Sequence, residues 1–165
     1  MTSTVEVSSG ARDFDFSLGG WKVRNHRLAR PLAGSDVWDE FESMVAARAL
    51  PGGLGSEELY CTDVDGGFMA MSFRFFDPAT ELWSIYRADG RRPGGLDPPV
   101  FGSFTGETGV FLGEDAFDGR PILVRFVWTA VDTPTPRWEQ AFSDDDGATW
   151  EPNWIMEFAR TGDGR

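Results

Sequence analysis

The chain predicts an all-β domain: one up-and-down antiparallel β-barrel of about ten strands. Three observations predict it. Short runs with alternating apolar residues are separated at regular intervals by turn residues, and the chain carries 20 Gly and 10 Pro. No stretch has a sustained helical period of apolar residues. The first run opens with Gly19-Gly20-Trp21 and the last ends in Arg160, so the outermost strands can meet, and closure removes exposed sheet edges.

The 165 residues fit a single domain with a substantial core. Residues 1–12 are polar and read as a flexible lead-in; 13–165 form the barrel domain. Phe14, Phe16 and Leu18 alternate just before the glycines, and a short turn or 3₁₀ segment here plugs one end. Strands are then expected over 21–30, 37–50, 57–64, 68–76, 82–89, 100–105, 109–113, 122–131, 137–143 and 153–160. The Ala-rich 44–50 part of the second is also compatible with a helix. Asp77-Pro78-Ala79-Thr80 is a hairpin turn, since proline presets φ and the aspartate bonds the backbone beyond it. Residues 90–99, rich in Pro and Gly, make the longest loop.

Residues 143–150, Ser-Asp-Asp-Asp-Gly-Ala-Thr-Trp, match the Asp-box pattern Ser-x-Asp-x-Gly-x-Thr-Trp. It resembles a hairpin found in sialidase propellers and in unrelated β folds. A propeller needs several copies and this chain has one, so the motif reads as a structural clip.

The formal net charge of −12 repels phosphate backbones and anionic lipid surfaces, so neither nucleic acid nor membrane is an expected partner. Cys61 is the one cysteine, so no intramolecular disulfide is possible. No apolar h-region opens the chain and no apolar stretch reaches the ~20 residues of a membrane span, which gives a cytoplasmic expectation. With one cysteine and one histidine, no zinc site is expected, and no glycine-rich dinucleotide loop is present. No cofactor is expected.

Strand parity proposes a lumen, because residues two apart share a face. With Trp21 inward, Asn25 and Arg27 follow it, while His26 faces out. Taking the Trp-rich side of each later strand as internal gives Trp38, Trp83, Trp128 and Trp138, interspersed with Glu40, Glu42, Arg74, Arg87 and Gln140. Such a barrel is either packed solid or hollow. A hollow one has apolar walls with a few convergent polar groups, the composition of a small-molecule pocket.

Gly19-x-Trp21 and Arg160 resemble the signature of the calycins, the barrels that include lipocalins and fatty-acid-binding proteins. The resemblance implies that Trp21 sits at the closed end with Arg160 packed across its indole, both structural. The runs Phe14-Asp15-Phe16 and Phe76-Asp77-Pro78-Ala79-Thr80 and residues 150–158 are similar to an uncharacterised bacterial family of calycin-like barrels, a likeness covering about Asp13 to Arg160. Nitrobindin, a haem-binding relative, holds haem through a histidine near its C-terminal end. Here the one histidine is His26 on the first strand, so haem is not expected.

Two functions fit this lumen. One is a binding barrel that holds a hydrophobic or aromatic ligand against Asn25, Arg27, Trp38, Arg74, Trp83, Arg87, Trp128, Trp138 and Gln140. The other is a cofactor-independent cyclase or isomerase acting on a hydrophobic metabolite, as in a biosynthetic pathway. There Glu40 and Glu42 supply acid–base chemistry, and Arg74 or Arg87 keeps one carboxylate ionised. A homodimer through Phe41, Val45, Phe73 and Phe75 is a further expectation.

Overall fold

The computed structural model describes residues 9–162. The lead-in therefore falls mostly outside the described residues. Ten strands follow: β1 (Gly19–Leu28), β2 (Trp38–Ala49), β3 (Ser56–Thr62), β4 (Phe68–Asp77), β5 (Leu82–Asp89), β6 (Val100–Thr105), β7 (Thr108–Phe117), β8 (Arg120–Thr129), β9 (Arg137–Ser143) and β10 (Glu151–Arg160). Each pairs antiparallel with its sequence neighbours, and β1 pairs with β10 to close the barrel. No described helix is long and apolar enough to cross a membrane.

The Ala-rich end of β2 is strand, not helix. Val45 and Ala47 point inward there while the chain pairs with β1 on one side and β3 on the other. Strand β7 runs past Gly113 to Phe117, and β8 starts at Arg120 rather than 122. The turn between them is Asp118-Gly119, both at positive φ (48° and 75°), the two-residue geometry that suits a hairpin's twist. The Asp77 turn is as expected: its carboxylate accepts from the Ala79 N–H at 2.8 Å.

Two 3₁₀ turns, Ser9–Arg12 and Asp15–Ser17, cross the end of the barrel where β1 begins. Phe14, only 2 % exposed, drops into that end among Trp83, Phe104, Phe111 and Trp128. The Trp21 indole N–H donates to the Ser17 carbonyl at 2.8 Å, and the Arg160 guanidinium lies 3.7 Å over the Trp21 ring. Arg160 also donates to the Phe16 and Leu18 carbonyls, so one side chain ties the plug, the first strand and the last. Gly19 sits at φ +105°, and a Cβ there would lie 2.6 Å from Arg160 Nη1.

Gly102 sets a tight approach in the wall. A Cβ on it would sit 1.9 Å from the Val110 carbonyl oxygen and 2.8 Å from the Phe111 Cα. Backbone cannot yield as a side chain can, so Gly102→Ala is expected to cost about 3 kcal/mol, the upper part of the overpacking range. Urea unfolding measures it; a loss under about 0.5 kcal/mol contradicts this packing.

Register with β1 corrects the parity of β2. His26 and Arg24 face outward, and their cross-strand partners are Glu40 and Glu42. The glutamates therefore share the outer face, with side chains 68 % and 69 % exposed, and Trp38, on the same parity, is 39 % exposed. Phe41, Ser43, Val45 and Ala47 face in. The proposed dimer set is split in consequence: Phe41 and Val45 belong to the interior, while Phe75 stands on the outer face.

Candidate functional site

Between the plugged end and the opposite mouth the barrel holds a cavity of about 250 Å³. Its two walls differ in chemistry. Strands β8, β9 and β10 present Trp128, Phe126, Trp138, Phe142, Trp154 and Phe158. Strands β3, β4 and β5 present Glu58, Ser72, Arg74, Arg87 and Asp89. Glu58, Ser72 and Arg87 are successive cross-strand partners, so they form one polar row. Side chains directly opposite in a sheet are near enough to interact, which keeps the polar groups together on this wall.

Arg74 is the innermost charge. Its side chain is 4 % exposed and pairs with Glu58, 12 % exposed, through Nη2 and Oε2 at 2.5 Å. Its Nη1 donates to the Ser17 hydroxyl at 3.3 Å, and its guanidinium stacks 4.7 Å from the Phe14 ring centre. Its Nε has no hydrogen-bond partner among the described residues. The plug thus holds the arginine, and the arginine presents the carboxylate to the cavity.

A second charged cluster surrounds the mouth, built by the loop after β5. The Asp89 carboxylate is buried and takes Arg91 at 2.9 and 3.1 Å and Arg87 at 3.0 Å. Arg92 holds Asp97 at 2.9 Å, and Arg87 reaches the same residue at 3.4 Å. Hydrogen bonds from Arg91, then the charge of Arg87, hold the Asp89 carboxyl well below its ordinary value of 3.8. Unfolding restores the ordinary carboxyl value of 3.8, so the cluster's contribution is fully present above about pH 5 and is lost progressively as pH falls through that value and below. Urea midpoints between pH 7 and 2.5 should fall at the acid end, and Asp89→Asn should flatten that fall. An unchanged slope in the variant would refute the assignment.

Asn25 is the hub of the interior rather than a cavity wall. It is fully buried, and its Oδ1 accepts from the Tyr60 hydroxyl at 3.1 Å and from the Trp154 indole N–H at 3.0 Å. Its Nδ2 donates to the Ser43 hydroxyl at 2.9 Å. Burial pushes the Tyr60 phenol up, against the opposing effects of Ser43 and Arg27, Arg87 and Arg91.

Of the residues expected to line the lumen, Arg74, Arg87, Trp128, Trp138 and Gln140 do so. Asn25 stands behind Tyr60 and Trp154. Trp83 belongs to the plugged end, donating its indole N–H to the Gly10 carbonyl at 3.2 Å. Arg27 pairs with Asp65 at 2.7 Å and stacks on Phe41 and Trp154. Trp38, Glu40 and Glu42 lie outside the barrel, so no lumen carboxylate chemistry uses them.

Glu58 and Tyr60 are the residues sequence reasoning missed. The signal was present: Ser56, Glu58, Tyr60 and Thr62 share a parity, and an inward Arg74 needs a nearby countercharge.

His26 faces out as expected, between Glu40 at 3.1 Å and Glu157 at 3.7 Å. The Asp-box turn is a clip. Asp145 takes the Thr149 N–H and hydroxyl and the Ser143 hydroxyl at 2.6–2.9 Å, which lower its carboxyl to about 2. Among the described residues no group of three or more His, Cys, Asp or Glu is placed to hold a metal. No protein-family model matches the chain, and no curated protein matches it.

Proposed function

We propose that this is a calycin-like binding barrel that holds one compact aromatic or hydrophobic molecule among Trp128, Trp138 and Trp154, which line the cavity. The observation that carries this reading is the two-sided cavity, aromatic on β8–β10 and polar on β3–β5. At about 250 Å³ it lies just under the ~300–1,000 Å³ of drug-sized pockets, which suits a small ligand. Aromatic faces favour offset or edge contacts with a flat ring, and the polar row orients it.

The test is tryptophan fluorescence against a panel of bicyclic aromatic compounds. Saturable one-to-one quenching is expected, and Val124→Trp, which fills the cavity from β8, should abolish it. No saturable response from any compound overturns the reading.

Glu58 also supports a second reading, as an enzyme that moves a proton without a cofactor. It takes the place in the lumen that Glu40 and Glu42 do not occupy. The two readings separate on chemistry: a binder returns its ligand unchanged, and an enzyme converts it at a rate that Glu58→Gln abolishes.

A further inference from the structure

Resting on the binding reading, we infer that the inner end of the cavity selects neutral ligands bearing a hydrogen-bond donor, a phenolic hydroxyl or a ring N–H, through the free oxygen of Glu58. Several polar groups near the cavity are already engaged within the protein; Ser72, Glu114 and Asp115 also line it, the last two on the half of β7 away from Phe111 and the plug. The Tyr60 hydroxyl and Trp154 indole N–H both donate to Asn25, and the Gln140 amide donates to Asn153 at 2.8 Å. Arg87 is held by Asp89 and Asp97.

Glu58 is different. One oxygen takes Arg74, and the other has no hydrogen-bond partner among the described residues. Arg74 cannot turn to a ligand in its place, being clamped between Phe14 and Trp128 and bonded to Ser17. The Trp128 and Trp138 indoles likewise lack a hydrogen-bond partner among the described residues, but they are neutral donors. Hydrogen bonds to an ionised group are about twice as strong, so the carboxylate sets the preference.

The charges set the rest of the class. Arg74 and Glu58 cancel, so the inner end offers no net attraction for an ion. A ligand carboxylate would meet Glu58 itself, because both terminal nitrogens of the arginine behind it are engaged and its partnerless Nε is buried out of reach. A ligand of the right shape but without a donor displaces water and leaves the carboxylate oxygen unsatisfied, the condition under which buried polar groups discriminate most strongly.

Calorimetric titration of the full chain with indole, benzofuran and benzofuran-2-carboxylate tests this. The first two share a shape and differ in the donor; the third adds an anion. Indole is expected to bind roughly 10- to 100-fold more tightly than benzofuran, and the carboxylate most weakly. In Glu58→Met/Arg74→Met, where both charges are replaced together so that neither is left unpaired, indole and benzofuran should bind within about threefold of each other. Equal binding of the two by the wild-type protein overturns donor selection but leaves the binding barrel standing. So does tightest binding of the carboxylate, or an indole preference that survives in the double variant. Failure of all three probes to bind overturns this inference, and the fluorescence panel then decides the binding reading separately.

Discussion

Arg74→Met should destabilise the protein by about 3 kcal/mol, while Arg74→Met/Glu58→Met should return it to within about 1 kcal/mol of wild type. The single variant strands a carboxylate in the lumen. Breaking a buried pair in this way costs roughly 3–5 kcal/mol, and the lower end applies because Glu58 borders a cavity that admits water. The double variant removes both desolvation penalties and keeps apolar volume against Phe14 and Trp128. Urea unfolding of the four proteins in the cycle gives the coupling directly. If single and double variants lose the same stability, the ion pair is not the unit and Arg74 matters through packing alone.

The outcome for Glu58 also shows what was legible in the sequence. Turn chemistry and alternation were enough for the barrel, its closure and most strands. Parity was readable on β8, where one face is wholly apolar, and on β5, where Trp83 and Ile85 share a face. On β5 the set Trp83, Ile85, Arg87 and Asp89 faces inward, and on β8 Ile122, Val124, Phe126 and Trp128 do. Strand β2 offered no such contrast: Trp38, Glu40, Glu42 and Met44 alternate with Asp39, Phe41, Ser43 and Val45, and each set mixes apolar with polar. What decides it is long-range register, which puts Glu40 beside His26 and Asn25 beside Phe41. A one-residue slip would exchange the faces, and the strand's own composition carries no information against it. The Arg74–Glu58 pair is different: its partners are 16 residues apart on neighbouring strands, but an inward Arg74 and the parity of β3 were enough to point to it.

The plug is the other feature on which the cavity depends, and Phe14→Ala tests it. Phe14 makes edge contacts with Trp83 and Phe104 at about 5 Å, packs on Phe111 and carries the Arg74 guanidinium on its face. Phe→Ala in a core costs about 3–5 kcal/mol. The middle of that range is expected here, because four aromatic neighbours cannot all collapse into the space. For a chain of this size that corresponds to a fall in melting temperature of roughly 8–16 °C. Trp38→Ala is the matched control: it removes a larger aromatic from the outer face of β2 and should change stability by no more than about 0.5 kcal/mol. Comparable losses in both variants would mean that Trp38 is packed inside and that β2 pairs with β1 one residue out of the Leu28–Trp38 register. A large loss for Phe14 alone would tie the cavity to its plug. Arg74 would then lose its stacking surface, so the inner end would open to solvent, and the selectivity of Glu58 would weaken together with stability.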